Sequence, residues 1–253
     1  MEPVTGDHDE HVLSAGALDA KEPSVSEHSD PSTSGPPAPG PHLSGPEVWD
    51  AAFWDERYSS QDALWSREPN RHLILEAGGL APGTALDVGA GEGADAIWLS
   101  VRGWKVTAVD LSAVALERAA ANALRTGRSV ADRIEWLCQD VITWEPPAGA
   151  FDLVSAQYMQ LPPGPRVGLW EDLAGAVAPG GTLLVVGHHP SDLETTVHRP
   201  RPELFFTGDE VVHQLDPDAW EVVTNAAPDR AATDPEGRAV TVHDAVVRAR
   251  RLR

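Results

Sequence analysis

Cysteine is almost absent. The single Cys138 rules out an internal disulfide framework and any multi-cysteine metal site, fits a reducing compartment, and reads as a small buried apolar residue. Long hydrophobic runs are absent too. No stretch approaches the ~20 apolar residues that span a bilayer. The start, Met1-Glu-Pro-Val-Thr-Gly-Asp-His-Asp-Glu, lacks the basic-then-apolar order of a secretory signal, so a cytoplasmic protein with no membrane partner is expected. Positive charge is scarce: 19 Lys and Arg stand against 39 Asp and Glu, a net charge of −20. A polyphosphate would meet repulsion instead of the basic stripe that releases counterions, so nucleic acid is not an expected partner.

What is present suffices for one large α/β domain, since 253 residues at 42% apolar composition can fill a full core. The material is unevenly spread. Residues 1–46 are rich in Pro, Ser, Gly, Asp and His, carry eight acids against one Lys, and show no apolar periodicity, which reads as a disordered tail. His8, His11, His28 and His42 within it lack ligand-like spacing, and no metal site is expected. An ordered domain over 47–253 opens with aromatics at near-helical spacing: Trp49, Phe53, Trp54, Tyr58, then Trp65.

Beyond it, β-rich runs alternate with helical ones, the signature of βαβ units and a mostly parallel sheet. Strands are expected over 84–88, 105–109, 133–137, 151–155 and 182–187. Helices are expected over 70–77, 94–102 and from Ser112 to Gly127, with a further helix presenting Val167, Trp170, Ala174 and Val177 on one face. Residues 219–224 and 239–248 read as two strands with no helix between them, hence an antiparallel closing pair. The fold class expected is doubly wound α/β, a mostly parallel seven-stranded sheet with an antiparallel closing strand.

The strongest chemical signal is Leu86-Asp87-Val88-Gly89-Ala90-Gly91-Glu92-Gly93, between the first strand and the helix after it. Such a turn lets backbone approach a ligand closely and aims free N–H groups at it. Its glycines run G-x-G-x-G, yet Ala94 also satisfies the dinucleotide fingerprint G-x-G-x-x-G/A, so they do not decide alone. The acids do. Asp87 ends the first strand, Asp110 the second, and Asp140 follows the third. This constellation resembles the class I S-adenosylmethionine-dependent methyltransferases over roughly residues 47–250.

The resemblance implies S-adenosylmethionine as cofactor and a small-molecule methyl acceptor. It places the methionine end of the cofactor within Asp87, Gly89, Ala90, Gly91 and Gly93, the ribose hydroxyls on Asp110 beside Leu111, and the adenine on Asp140 beside Val141. Read without it, Asp110 is a helix cap and Asp140 a turn residue. After the fourth strand Gln157, Tyr158 and Met159 lie at the sheet edge where ligands bind, whereas Asp152, at the strand's start, reads as structural. His188 ends the fifth strand. His188 or Tyr158 would serve as general base for a neutral acceptor, and a soft anionic acceptor needs none.

Phe53-Trp54-Asp-Glu-Arg57-Tyr58 together with Trp65, Phe205-Phe206 and Asp234-Pro-Glu-Gly resembles the thiopurine and tellurite-resistance branch of that family. There Trp54 and Arg57 would close over the methionine end, Arg57 on its carboxylate; a surface ion pair of Arg57 with Asp55 or Glu56 is the other reading. Other functions left open are an NAD-dependent oxidoreductase and a catalytically silent S-adenosylmethionine-binding protein. Monomer or homodimer is also left open.

Overall fold

The computed structural model describes residues 50–253 except 66, 160, 194–201 and 234–236. The tail expected over 1–46, Trp49, and Asp234, Pro235 and Glu236 of the late motif therefore lie outside the described residues.

Two short helices come first. α1 (Ala51–Ser59) begins at Asp50, whose carboxylate accepts from the Phe53 N–H at 2.9 Å. α2 (Arg71–Ala77) begins at Asn70, whose side chain accepts from the His72 N–H at 2.8 Å. Both are side-chain caps that satisfy otherwise orphaned first-turn donors. Then strands and helices alternate: β1 (Thr84–Val88), α3 (Ala94–Val101), β2 (Lys105–Asp110), α4 (Ala113–Thr126), α5 (Arg128–Ala131), β3 (Ile134–Cys138), β4 (Phe151–Gln157), α6 (Pro163–Ala176) and β5 (Val177–His188). After β5 the alternation stops. Two 3-10 turns, Pro190–Leu193 and Pro202–Leu204, and α7 (Gly208–Val212) lead to β6 (Trp220–Ala226), β7 (Asp229–Thr233) and β8 (Ala239–Arg251).

Seven strands form one row in the order β3-β2-β1-β4-β5-β8-β6, parallel from β3 to β5, with β8 antiparallel to both its neighbours. This is the expected row with its antiparallel closure. An eighth strand was not expected: β7 pairs with the first half of β8, from Asp229 opposite His243 to Thr233 opposite Ala239. Asp229-Arg-Ala-Ala-Thr233 has little β-branched or aromatic content, so no composition marks it as a strand.

Apolar residues fill both faces of the sheet. On one face Leu169, Trp170 and Leu173 of α6 and Val211 of α7 pack on Val154, Val185 and Val247; on the other Leu73 of α2, Leu99 of α3 and Trp104 pack on Ala85, Leu153 and Leu184. Burial on both faces explains the near-continuous apolar runs of the central strands. The expected face of α6 is out of phase. Arg166, Leu169, Trp170, Leu173 and Ala176 are its buried residues, while Val167 and Ala174 are only half-buried and Val177 already belongs to β5. Cys138 also departs from expectation: it ends β3, the outermost strand of the row, and is exposed there. No helix among the described residues is long and apolar enough to cross a membrane.

Strand order reverses between β1 and β4, neighbours that run parallel with Asp87 opposite Ser155. Between the carboxyl ends of such a pair the loops leave in opposite directions and open a crevice, the preferred ligand position of doubly wound sheets.

Candidate active site

The crevice is built on the glycine turn. Gly89, Gly91 and Gly93 all have positive φ, 74°, 52° and 85°, which side chains other than glycine adopt at a cost. The turn is anchored from two sides. Gly89 and Ala90 donate to the Val109 carbonyl of β2 at 2.8 and 3.0 Å, and Gly91 donates to the Oδ2 of Asp110 at 2.8 Å. A Cβ on Gly93 would stand 2.7 Å from the Trp136 ring and 2.8 Å from Ala119, so this glycine also lets the turn pack onto α4 and β3.

Three carboxylates meet beneath it. Asp87 is buried, its Oδ2 has no hydrogen-bond partner among the described residues, and burial followed by the charges of Asp95 and Asp110 raises its pKa well above the usual carboxylate range. Burial pushes Asp95 up to about 6, although its Oδ1 accepts from the Asn70 N–H at 2.6 Å. Asp110 is raised by burial as well, against the N–H bonds it accepts from Ser112 at 2.9 Å and from Gly91. Asp110 is therefore not the cap of α4: Ser112 is, its hydroxyl accepting from the Ala115 N–H at 3.1 Å, while Asp110 holds the backbone of Ser112 just before the helix. Leu111 follows half-buried, and its carbonyl accepts from the Cys138 thiol at 3.6 Å.

The aromatic amino-terminal segment does lie on this turn. Tyr58 is buried, its Oη accepts from Trp65 Nε1 at 3.0 Å, and the same oxygen is 3.0 Å from where a Cβ of Gly91 would stand. Trp54 is half-buried against Tyr58, with their ring centroids 6.2 Å apart, and the Arg57 guanidinium lies 6.0 Å from the Trp54 ring. Asp55 accepts from the Ser112 hydroxyl at 2.6 Å and fastens α1 to the start of α4. Glu92 was missed from sequence. Its Oε2 accepts from the Leu64 and Trp65 N–H groups at 3.0 and 3.3 Å, and its Oε1 meets Arg118 at 3.2 Å. A glutamate between two glycines gives no pattern that would reveal partners 27 and 28 positions upstream.

Across the crevice, Gln157 donates to Ser155 Oγ at 2.9 Å while its buried Oε1 has no hydrogen-bond partner among the described residues. Tyr158 is the only described residue other than glycine with positive φ, 53°. Burial and the nearby Asp244 raise its phenol above the ordinary tyrosine value, so at neutral pH it keeps its proton and does not suit the base role expected of it. Its ring stacks on His188 at 4.8 Å, and His188 in turn on Phe205 at 5.6 Å. Asp140 lies at the edge of the row, where its Oδ1 accepts from the Ile142 N–H at 3.0 Å in a turn, with Val141 packed at the periphery of the core. Asp152 accepts from the Thr84 N–H at 2.8 Å, the structural part expected of it.

Residues 85–181 match the model of a family described as a methyltransferase domain. Over this segment the chain is similar to a methyltransferase domain. The domain's match begins in β1 and ends in β5, so it contains the glycine turn and all three strand-end acids. Uncharacterized methyltransferases of Mycobacterium bovis and Mycobacterium tuberculosis are 38% identical over 129 residues, which is 49% of this chain and 61% of theirs. The chain thus spans under two thirds of the length of these relatives.

Similar folds occur in the N-methyltransferase NodS of Bradyrhizobium japonicum in complex with S-adenosyl-L-homocysteine (TM-score 0.60, 18% identity, 81% of this chain and 100% of that one) and in TehB of Haemophilus influenzae (TM-score 0.59, 18% identity, 79% and 66%). S-adenosylmethionine is the cofactor that this similarity points to, and the neighbour NodS holds its product form. The residues present fit it: three glycines form a cradle, and unpartnered buried acceptors at Asp87 Oδ2 and Gln157 Oε1 suit a cationic donor.

Proposed function

We propose that this chain transfers a methyl group from S-adenosylmethionine to a small-molecule acceptor. The observation that carries this is the buried, unpartnered Asp87 Oδ2 beneath a three-glycine turn that Asp110 closes. When bound, the cofactor would supply a sulfonium methyl for in-line attack by a nucleophile, with S-adenosylhomocysteine leaving as the neutral thioether. Asp87 and Gln157 hold its ammonium group. Asp110 turns its remaining lone pairs to the two ribose hydroxyls, in charge-assisted bonds stronger than neutral ones. Asp140 accepts from the adenine amino group, and Leu111 and Val141 flank the base. Trp54, Arg57, Tyr58 and Trp65 cover the turn and exclude water, so that most of the rate arises from alignment.

His188 stands at the acceptor side between the rings of Tyr158 and Phe205 and takes the proton from a neutral acceptor. A soft nucleophile, such as a thiol, selenium or tellurium species, needs no such step, and the likeness to TehB supports that class. The likeness to NodS supports an amine equally. A net charge of −20 argues against a nucleic acid acceptor.

The test is titration of the purified protein with S-adenosylhomocysteine and, separately, NAD, followed by assay of S-adenosylhomocysteine release over thiols, selenite, tellurite, amines and phenols. Binding of the first ligand and turnover of one acceptor class are expected. Preference for NAD defeats the reading in favour of an oxidoreductase, and binding with no turnover over the panel favours a silent cofactor-binding protein.

A further inference from the structure

Four residues outside or at the rim of the crevice form a polar cluster that the methyl-transfer reading does not use. Asp244 of β8 is fully buried, and its Oδ2 receives both His72 Nε2 of α2 at 3.0 Å and Arg230 Nε of β7 at 2.9 Å. His72, Arg230 and Asp244 all lie outside the matched segment 85–181. Three side chains from three separate elements converge here at a desolvation cost that a packed apolar core would avoid.

What the cluster faces is Tyr158: Asp244 stands opposite His188 across β5 and β8, the Tyr158 ring lies 4.8 Å from that of His188, and burial and then the charge of Asp244 raise the Tyr158 phenol. The backbone of Tyr158 is held as well, its N–H donating to the Val186 carbonyl at 2.7 Å. A tyrosine in the left-handed region is strained and persists only where its surroundings over-determine it. Here the result is local and specific: the chain turns back after β4, and the thioether of Met159 comes to rest on the side of Gly89 where a Cβ would stand. Gly89 keeps its other side exposed. A ligand resting on the turn therefore has Met159 as a wall, and a thioether is an adaptable one.

We propose that Asp244, held by His72 and Arg230, is a positioning residue for the cofactor site, fixing through Tyr158 the turn that sets Met159 against Gly89. The closing strands thereby set the shape of a site that lies within the methyltransferase domain. The proposal rests on the reading of the glycine turn as the S-adenosylmethionine site.

Its test is a double-mutant cycle read as S-adenosylhomocysteine affinity by titration calorimetry, with thermal melts confirming that each variant folds. Asp244→Asn and Tyr158→Phe are each placed in the parent chain and in Met159→Ala. Tyr158→Phe cuts the link while leaving the bonds of His72 and Arg230 to Asp244 in place, so it stands if Asp244→Asn fails to fold. Each is expected to weaken binding about fivefold in the parent and to change nothing further once Met159 is truncated, the non-additivity of residues acting through one another. Unchanged affinity in Tyr158→Phe, equal losses in both backgrounds, or tighter binding by Met159→Ala overturns the proposal. Absence of binding by the parent chain overturns instead the cofactor reading beneath it.

Discussion

Gly91 and Asp110 join the glycine turn to the end of the second strand: the Gly91 N–H donates to Asp110 Oδ2 at 2.8 Å, across 19 positions of sequence. One carboxylate thus shapes the turn and holds the backbone of Ser112, the cap of α4.

Asp110→Ala is expected to weaken S-adenosylhomocysteine binding by about 1.5–3 kcal/mol, the scale of hydrogen bonds to a charged group. Because two backbone donors lose their acceptor, stability should also fall, by about 1–3 kcal/mol. Asp110→Asn, which retains one acceptor oxygen, should lose less on both counts. Calorimetric titration together with urea unfolding separates the two effects, and unchanged affinity in the Ala variant would remove Asp110 from the site.

The Asp95 carboxyl gives a pH dependence of definite sign. Its folded pKa of about 6 lies above the ordinary unfolded value of about 3.9. Between these values the folded chain holds more protons than the unfolded one, so the contribution present at low pH is lost as pH rises towards 6. Urea midpoints between pH 4.5 and 7 should decline more in the parent than in Asp95→Asn. Equal slopes would show that Asp95 titrates normally.

Two glycines should respond oppositely to alanine. Gly168, inside α6, is exposed, with nothing within 4 Å of an added Cβ, so Gly168→Ala should stabilise by about 0.5–1 kcal/mol. Gly93→Ala has to accommodate both a φ of +85° and contact with Trp136 and Ala119, and should destabilise by about 1–3 kcal/mol. Thermal unfolding of the pair settles both signs.

How much of this was legible varies with the range of the interaction. β1 was read to the residue and β2, β3 and β4 to within two residues at either end, because buried parallel strands are apolar runs bounded by glycine and helix caps. The start of β5 was missed since Pro179, Gly180 and Gly181 look like the turn that precedes a strand, whereas β5 begins at Val177. The glycine turn and its acids were legible because they are local and chemically distinctive. His72 and Asp244 meet across 172 positions, and no periodicity or spacing announces that.

Arg166 was equally invisible, a buried arginine in a helix expected to turn an apolar face inward. It donates to the carbonyls of Leu161, Glu203 and Phe205, pairs with Glu210 at 3.2 Å, and lies over the rings of Trp170 and Phe206. Arg166→Met should cost about 2–5 kcal/mol by leaving those acceptors unsatisfied. Glu210→Gln, at the half-exposed end of the pair, should cost less than about 1 kcal/mol. Denaturant midpoints of the two variants give the comparison. Similar losses would show that the ion pair, not the carbonyl contacts, is what Arg166 contributes.

β8 has a consequence for the order in which the chain can fold as it is made. It pairs with β5, β6 and β7, yet it follows all three in sequence. Until Ala239–Arg251 has left the ribosome, β5 offers an unpaired apolar edge and β6 has no neighbour in the row. Such edges invite association with other chains. Nascent protein is therefore most exposed to aggregation just before synthesis of this strand, and slowing translation within it should lower soluble yield more than slowing it within α4.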